Sequence, residues 1–371
     1  MHVCIDYRPA LREGTGVGTY VRGLLAGLVR CHPEAEYSAF SASWRDRLSL
    51  DPELAAIRPL DAKVPVRLLD WLWHRHQWPA IERWSGNVDV THSPSPLPLP
   101  SRHARTVVTV HDCYFLRCPS DVGGVVRRDY VPLAREGIRR ADAVVVVSET
   151  TRDELQDLIG LPADKVHVTY NGVADDFRPL PNAADLIQRH LGIERPFILF
   201  AGRREPRKDM PTLLAGFAAL LDQFRELDLV LVGPDGVGWA EIWAQASPAL
   251  TSRIRILEHQ SVARLASLYA AAEILLLPSR WEGFGLTAVE AMACETPVVA
   301  ARAGALPEVL GEAAEWFDVG DAAGLAAACS RLLEDSARRA DFVRRGRDRA
   351  AMYTWNRTAT LTYKLYEQLQ G

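Results

Sequence analysis

Residues 279–290 read Ser-Arg-Trp-Glu-Gly-Phe-Gly-Leu-Thr-Ala-Val-Glu, a loop that runs into a helix with one carboxylate at its mouth, Glu282, and another further inside, Glu290. Gly283 and Gly285 can adopt backbone angles closed to other residues, so the amides of Gly283, Phe284, Gly285 and Leu286 can turn toward one point. Those amides are also the unpaired donors of a helix N-terminus, and together with the helix dipole they suit a diphosphate. A carboxylate beside a bound diphosphate is costly unless it grips something else. Glu282 and Glu290 are therefore expected to accept hydrogen bonds from neutral hydroxyls, of the kind a sugar and a ribose supply.

The stretch continues through Ala291-Met292-Ala293-Cys294-Glu295-Thr296-Pro297-Val298-Val299-Ala300 and Gly304-Ala305-Leu306-Pro307-Glu308-Val309, and it closely resembles the large retaining nucleotide-sugar glycosyltransferase family often called family 4. An earlier segment, Phe200-Ala201-Gly202-Arg203-Arg204-Glu205-Pro206-Arg207-Lys208-Asp209, resembles that family's phosphate-binding loop, and the two segments stand in the family's order and spacing. The resemblance implies a nucleoside diphosphate sugar as donor and a carbohydrate or lipid-linked glycan as acceptor. It is nearest in character to the bacterial α-mannosyltransferases that build surface polysaccharides, where GDP-mannose is the common donor. UDP-glucose or another UDP-sugar is the alternative, because none of these residues reads the base or the sugar epimer.

Loss of a nucleoside diphosphate builds negative charge on phosphate oxygens, so cations that meet that charge stabilise the transition state. The resemblance puts Arg203 and Lys208 on the diphosphate, Glu290 on the ribose hydroxyls and Glu282 near the transferred sugar; Arg204 and Arg207 match no such role and are expected to be exposed. Whether Glu282 acts as a nucleophile or retention follows a front-face path stays open. His111 follows the apolar run Thr106–Val110, and the family carries a similar His-Asp pair whose histidine contacts the donor sugar; Asp112 reads as a helix cap or a supporting partner. Gly16 and Gly18, in Gly14-Thr15-Gly16-Val17-Gly18-Thr19-Tyr20, are separated from the first strand by Arg8 to Glu13. They therefore fail the dinucleotide fingerprint and resemble the family's glycine-rich acceptor-side loop, close to the donor diphosphate or the acceptor. The chain has no Asp-x-Asp, and with Arg203, Lys208 and the amides after Glu282 supplying positive potential, turnover without a metal or cofactor is expected.

The elements that must carry these loops are legible as short β-branched runs alternating with helical patterns, the mark of parallel sheets covered by helices. Strands are predicted at 1–5, 36–40, 88–91, 106–110 and 143–147, and again at 196–200, 228–232, 253–257, 273–277 and 297–300. The turn-rich stretch 171–181 reads as a linker. This is an α/β chain of two Rossmann-like, doubly wound parallel-sheet domains facing a cleft, the GT-B fold in the family's terms. The N-terminal acceptor-side domain spans 1–175 and the C-terminal nucleotide-sugar domain 182–350, with helix 354–370 crossing back onto the first.

At 371 residues the chain can build two cores, and 48% hydrophobic with 24% charged residues is the balance of a soluble globular protein. A net charge of -4 argues against a nucleic-acid partner, and six scattered cysteines without metal-ligand spacing fit a reduced, cytoplasmic setting. No signal peptide or apolar run of membrane-spanning length is present. Residues 66–84 combine Trp71, Trp73, Trp78 and Trp84 with Arg67, Arg75 and Arg83, a composition shared by interfacial helices and by helices packed on a domain with their basic ends in water. Peripheral membrane contact and simple packing both remain open, while the arginines of 338–349 read as a solvated face. A nicotinamide-dependent oxidoreductase and a non-catalytic sugar-nucleotide sensor are the rival classes. Two positions depart from the family: Glu295, where glycine is commoner, and His259-Gln260, which leave base preference open.

Overall fold

The computed structural model describes residues 1–11, 14–42, 47–119 and 126–371; Arg12 and Glu13, at the end of the stretch that precedes the first glycines, lie outside the described residues. Two units divide the chain, residues 1–172 with 354–371, and residues 173–353.

The first unit holds β1 (His2–Asp6), β2 (Glu36–Ala42), β3 (Arg58–Ala62), β4 (Val90–Ser93), β5 (Arg105–Val110), β6 (Ala143–Val146) and β7 (Val166–Val168), in the order 3-2-1-4-5-6-7. Every neighbouring pair is parallel, so both faces need cover. Alternation along β1 supplies it. Val3 and Ile5 pack with Tyr20, Leu24 and Leu28 of α1 (Gly16–Cys31), while Cys4 packs on the other side with Phe40, Leu69 and Trp73, the last two from α2 (Val66–His76). The closing helix Trp355–Gln370, capped by the Thr354 hydroxyl, lies against α1 and joins the same core through Trp355, Tyr363 and Tyr366. It comes so near that a Cβ on Gly23 would stand 2.1 Å from the Trp355 ring, and one on Gly27 would stand 2.6 Å from the Trp355 carbonyl.

The second unit holds β8 (Phe197–Ala201), β9 (Asp228–Val232), β10 (Ile254–Leu257), β11 (Ile274–Leu277), β12 (Val298–Ala301) and β13 (Ala314–Phe317), all parallel, in the order 10-9-8-11-12-13. In each unit the order reverses at one place, between β1 and β4 and between β8 and β11. Loops leaving the carboxyl ends of those strands are where a doubly wound sheet accepts a ligand.

Three strands escaped the sequence reading, β3, β7 and β13, and all three lie at sheet edges. An edge strand need not be apolar on both faces: β3 carries Pro59 and Asp61, β7 is three residues long, and β13 contains Glu315. Glu315 is buried, closed by Arg331 and Arg338 at 2.7 Å each, so part of the arginine-rich helix Ser336–Ala350 is engaged in ion pairs instead of merely facing water.

Candidate functional site

The loops after β8 and β11 bring one predicted cation, Lys208, onto the first carboxylate; the second cation there is Arg207, and no contact joins Arg203 to Glu282 among the described residues. Glu282 is only 7% exposed. One of its oxygens accepts from the Lys208 ammonium and from the Ser279 hydroxyl at 2.6 Å, and the other accepts from the Arg207 guanidinium at 3.2 Å. Arg207 also reaches the Trp281 carbonyl and, on its far side, Glu205 at 3.0 Å. A main-chain bond joins the two loops, Arg280 N–H donating to the Arg207 carbonyl at 2.8 Å, and a second ties in the loop after β12, Ala305 N–H donating to the Glu282 carbonyl at 2.9 Å. Gly304 makes room for that second clamp, since its φ is +51° and a Cβ there would stand 2.3 Å from the Glu282 carbonyl. Burial pushes the Glu282 carboxyl up, but Lys208 and Arg207 pull it further down, to about 2. The protein's own partners of Glu282 are thus one hydroxyl, Ser279, and two cations.

Arg203 is exposed, with one N–H donated to the Asp235 carbonyl at 3.2 Å. Its neighbour reverses the expectation of exposure. Arg204 is 2% exposed, paired with Asp235 and stacked 5.3 Å from the Trp239 ring centroid. Arg207 is half-buried, not exposed. Adjacent arginines in a loop point in opposite directions, and composition does not say which one turns in. Ser279 and Arg207 both touch Glu282, contacts that the sequence did not announce. Asp209, directly after Lys208, sits in the left-handed region at φ 48° with its carboxylate 3.2 Å from Arg280.

The amides expected to gather at one point stand at the start of the helix Leu286–Ala293, whose cap Gly285 has φ 91°. Ala288 and Val289 are the first residues to donate back to the Gly285 carbonyl, so the Leu286 and Thr287 amides have no acceptor within the helix. Gly283 and Phe284 are buried just before it, with the Phe284 ring edge-on to Tyr353 at 5.3 Å. Glu290 lies on the same helix in a different setting. Its single hydrogen-bond partner among the described residues is the Tyr269 hydroxyl at 3.1 Å, and burial lifts its carboxyl to about 8 against that bond. At the far end, Glu295 takes the left-handed conformation, φ 64°, that glycine would supply, while Thr296 N–H donates to the Ala291 carbonyl and closes the turn.

Gly16, Gly18 and His111 belong to the other unit. Gly16 opens α1, and the Thr15 hydroxyl accepts from the Gly18 amide at 3.1 Å, so the Gly18 N–H is already used inside the helix cap. His111 directly follows β5 and sits beside the Tyr20 ring, edge-on at 4.8 Å. Its Nε2 is 3.1 Å from the Pro94 carbonyl, which can only accept, so Nε2 carries the proton and Nδ1 is left as an acceptor. Burial pulls the imidazole down to about 4, with Asp112 drawing it back, so the ring is neutral near pH 7. Asp112 accepts from the Tyr114 amide at the start of the short helix Tyr114–Arg117. Beneath it, His92 is bonded to the Tyr366 hydroxyl at 2.5 Å and the Thr109 hydroxyl at 2.7 Å, and Tyr20 shares Thr109, a buried network that no sequence motif announced.

Family models match both units: Glycosyl transferases group 1 over residues 185–349 and Glycosyltransferase Family 4 over residues 14–177. An O-antigen chain mannosyltransferase B of Escherichia coli is 31% identical over 385 residues, spanning the whole of both chains. A D-inositol 3-phosphate glycosyltransferase of Kineococcus radiotolerans is 31% identical over 80% of this chain and 70% of its own. Among solved structures, the sucrose-phosphate synthase of Thermosynechococcus elongatus superposes with a TM-score of 0.80 at 23% identity, over 99% of this chain and 98% of that one, a likeness of fold.

Proposed function

We propose that this chain, which belongs to the group 1, family 4 glycosyltransferases of GT-B fold, moves a hexose with retention from a nucleoside diphosphate sugar to a carbohydrate or glycolipid acceptor, mannose from GDP-mannose being the favoured donor. The observation that carries the reading is the Lys208–Glu282–Arg207 cluster beside the start of the helix Leu286–Ala293, at the switch point of the second sheet. An anion arriving there meets Lys208, Arg203 and the first-turn amides, which compensate the charge that grows on the departing diphosphate. With that charge met by side chains and backbone, the transfer needs no divalent cation. Glu290 accepts from the ribose hydroxyls, and Glu282, held ionised, faces the sugar side. In the first unit, neutral His111 offers Nδ1 as an acceptor to a sugar hydroxyl, while Gly16 lets the backbone approach donor or acceptor. Similarity along the full length to an O-antigen mannosyltransferase supports mannose and a surface-polysaccharide acceptor. All six cysteines are free, which supports a reducing, cytoplasmic setting.

A donor screen with purified protein in EDTA, following release of nucleoside diphosphate, tests the reading. GDP release from GDP-mannose, slow without acceptor and faster with it, is expected. UDP release from UDP-glucose would transfer the reading to that donor, and silence with every activated sugar would overturn it.

A further inference from the structure

The tryptophan-rich segment 66–84, whose composition admits both packing and interfacial contact, divides cleanly in the fold. Trp73 is buried and Trp84 is partly buried, and both lie against Phe40, with ring centroids 5.3 Å from it; they belong to the core. Trp71 and Trp78 are 52% and 55% exposed, and Val66 and Leu68 join them at 38% and 49%. On α2, Leu69 and Trp73 mark the buried face. Leu68, Trp71 and Arg75, spaced by three and four residues, stand together on the opposite one, and the exposed Arg67 adjoins them.

The exposed charges near this apolar patch that are outside ion pairs among the described residues are cations. Lys63, Arg67, Arg75 and Arg83 are all exposed, and among the described residues Lys63, Arg67 and Arg83 form no ion pair. The acids of the segment are otherwise occupied: Asp61 is paired with Arg47, Asp70 is held by Arg8 at 2.8 Å, and Glu82 accepts from the Ser101 hydroxyl and the Arg102 amide. Asp129, the acid that Arg75 senses, is paired with Arg128 at 2.8 Å. Exposed tryptophans combine an apolar ring with a polar N–H, and rings of this kind flanked by unpaired cations match a layer that is apolar beneath and anionic at its surface.

We propose that the outward face of α2 with Trp78 is a docking surface for an anionic lipid bilayer, with Leu68, Trp71 and Trp78 entering the headgroup boundary and Lys63, Arg67, Arg75 and Arg83 meeting lipid phosphates. Among the described residues no helix is long and apolar enough to cross a membrane, so this contact is peripheral. It is independent of the donor and of turnover.

Co-sedimentation of the full chain with phosphatidylcholine vesicles, with or without phosphatidylglycerol, tests it. Binding is expected only with phosphatidylglycerol, and high salt should weaken it. The double variant Arg67→Glu/Arg75→Glu should lower partitioning by about tenfold or more, since each surface cation contributes roughly a kilocalorie to such binding. Trp71→Ser/Trp78→Ser should lower it as well while leaving the melting temperature unchanged, because neither ring is part of the core. Equal sedimentation with neutral vesicles, none with either, or parental binding by both variants would overturn the proposal. So would a protein concentration-dependent dimer that Trp71→Ser/Trp78→Ser dissolves, which would assign the face to a second copy of the chain.

Discussion

Glu282 and Glu290 are the same residue type on one loop-and-helix segment, both 7% exposed, yet their surroundings drive them in opposite directions. Two cations and a hydroxyl surround Glu282 and hold its carboxyl near 2, whereas Glu290 is buried with one tyrosine hydroxyl bonded to it and sits near 8. Burial of equal depth can thus fix a charge or suppress one, depending on which neighbours are buried with it. A charged Glu282 supports a cationic loop, while a neutral Glu290 has Tyr269 as its one side-chain partner among the described residues and can take further donors. Ribose hydroxyls would be such donors.

The contrast can be broken most sharply at Glu282. Glu282→Gln leaves Lys208 and Arg207 buried against an amide, and should cost about 3 kcal/mol or more in denaturant unfolding. A loss well under 1 kcal/mol would mean that the cations relax into water. In the established direction of charge, Lys208→Ala should lower turnover by about a hundredfold or more if its ammonium meets the leaving diphosphate, and a near-parental rate would remove it from the site. Glu290→Ala should weaken donor binding by about tenfold, through loss of one or two hydrogen bonds, with a smaller effect on turnover. Calorimetric titration with GDP reads that directly, and unchanged affinity would separate Glu290 from the ribose.

The pH dependences should carry opposite signs. Because the folded pKa of Glu282 is depressed, the stability it contributes is present above the ordinary carboxylate value and lost as the pH falls toward 2. Glu290 is raised, so its contribution is full below the ordinary value and lost as the pH climbs through about 8. Glu290→Gln cannot ionise and should escape that loss, so its melting temperature relative to the parent should be higher by several degrees at about pH 9 than at about pH 5. Parallel melting curves would show that Glu290 titrates normally. The smallest effect is expected from Arg207→Gln, which removes one of two cations from Glu282: the acid limb of the rate profile should move upward, and Arg207→Lys should restore it.

How much of this was legible varies with the physics. Strands buried on both faces announce themselves as apolar runs, as Ala143–Val146 does; edge strands such as Arg58–Ala62 do not, because one side is free to be polar. Glu282, Glu290, Arg203 and Lys208 were found because they recur in a family pattern. The partners that set their charge were not: Tyr269 and Arg207 meet the carboxylates from other elements, where local spacing records nothing, and Ser279, only three residues before Glu282, carries no signal of its own that its hydroxyl turns onto the carboxylate. The same limit explains Arg204. Its burial depends on Asp235 and Trp239, residues some thirty positions away. In the segment 66–84, composition supplied the tryptophans; helix phase separates Trp71 from Trp73 on α2, while Trp78 and Trp84 lie beyond that helix and are sorted only by the tertiary fold.

The closing helix carries a consequence for how the protein is made. Trp355 fills the notch between Gly23 and Gly27, and Tyr366 completes the bond to His92, so the first unit depends on residues that leave the ribosome only after the second unit has been synthesised. The nascent amino-terminal sheet must persist with one flank of α1 uncovered throughout that interval. Its maturation therefore waits until the second unit has been synthesised, and that unit, contiguous in the chain, is free to fold ahead of it.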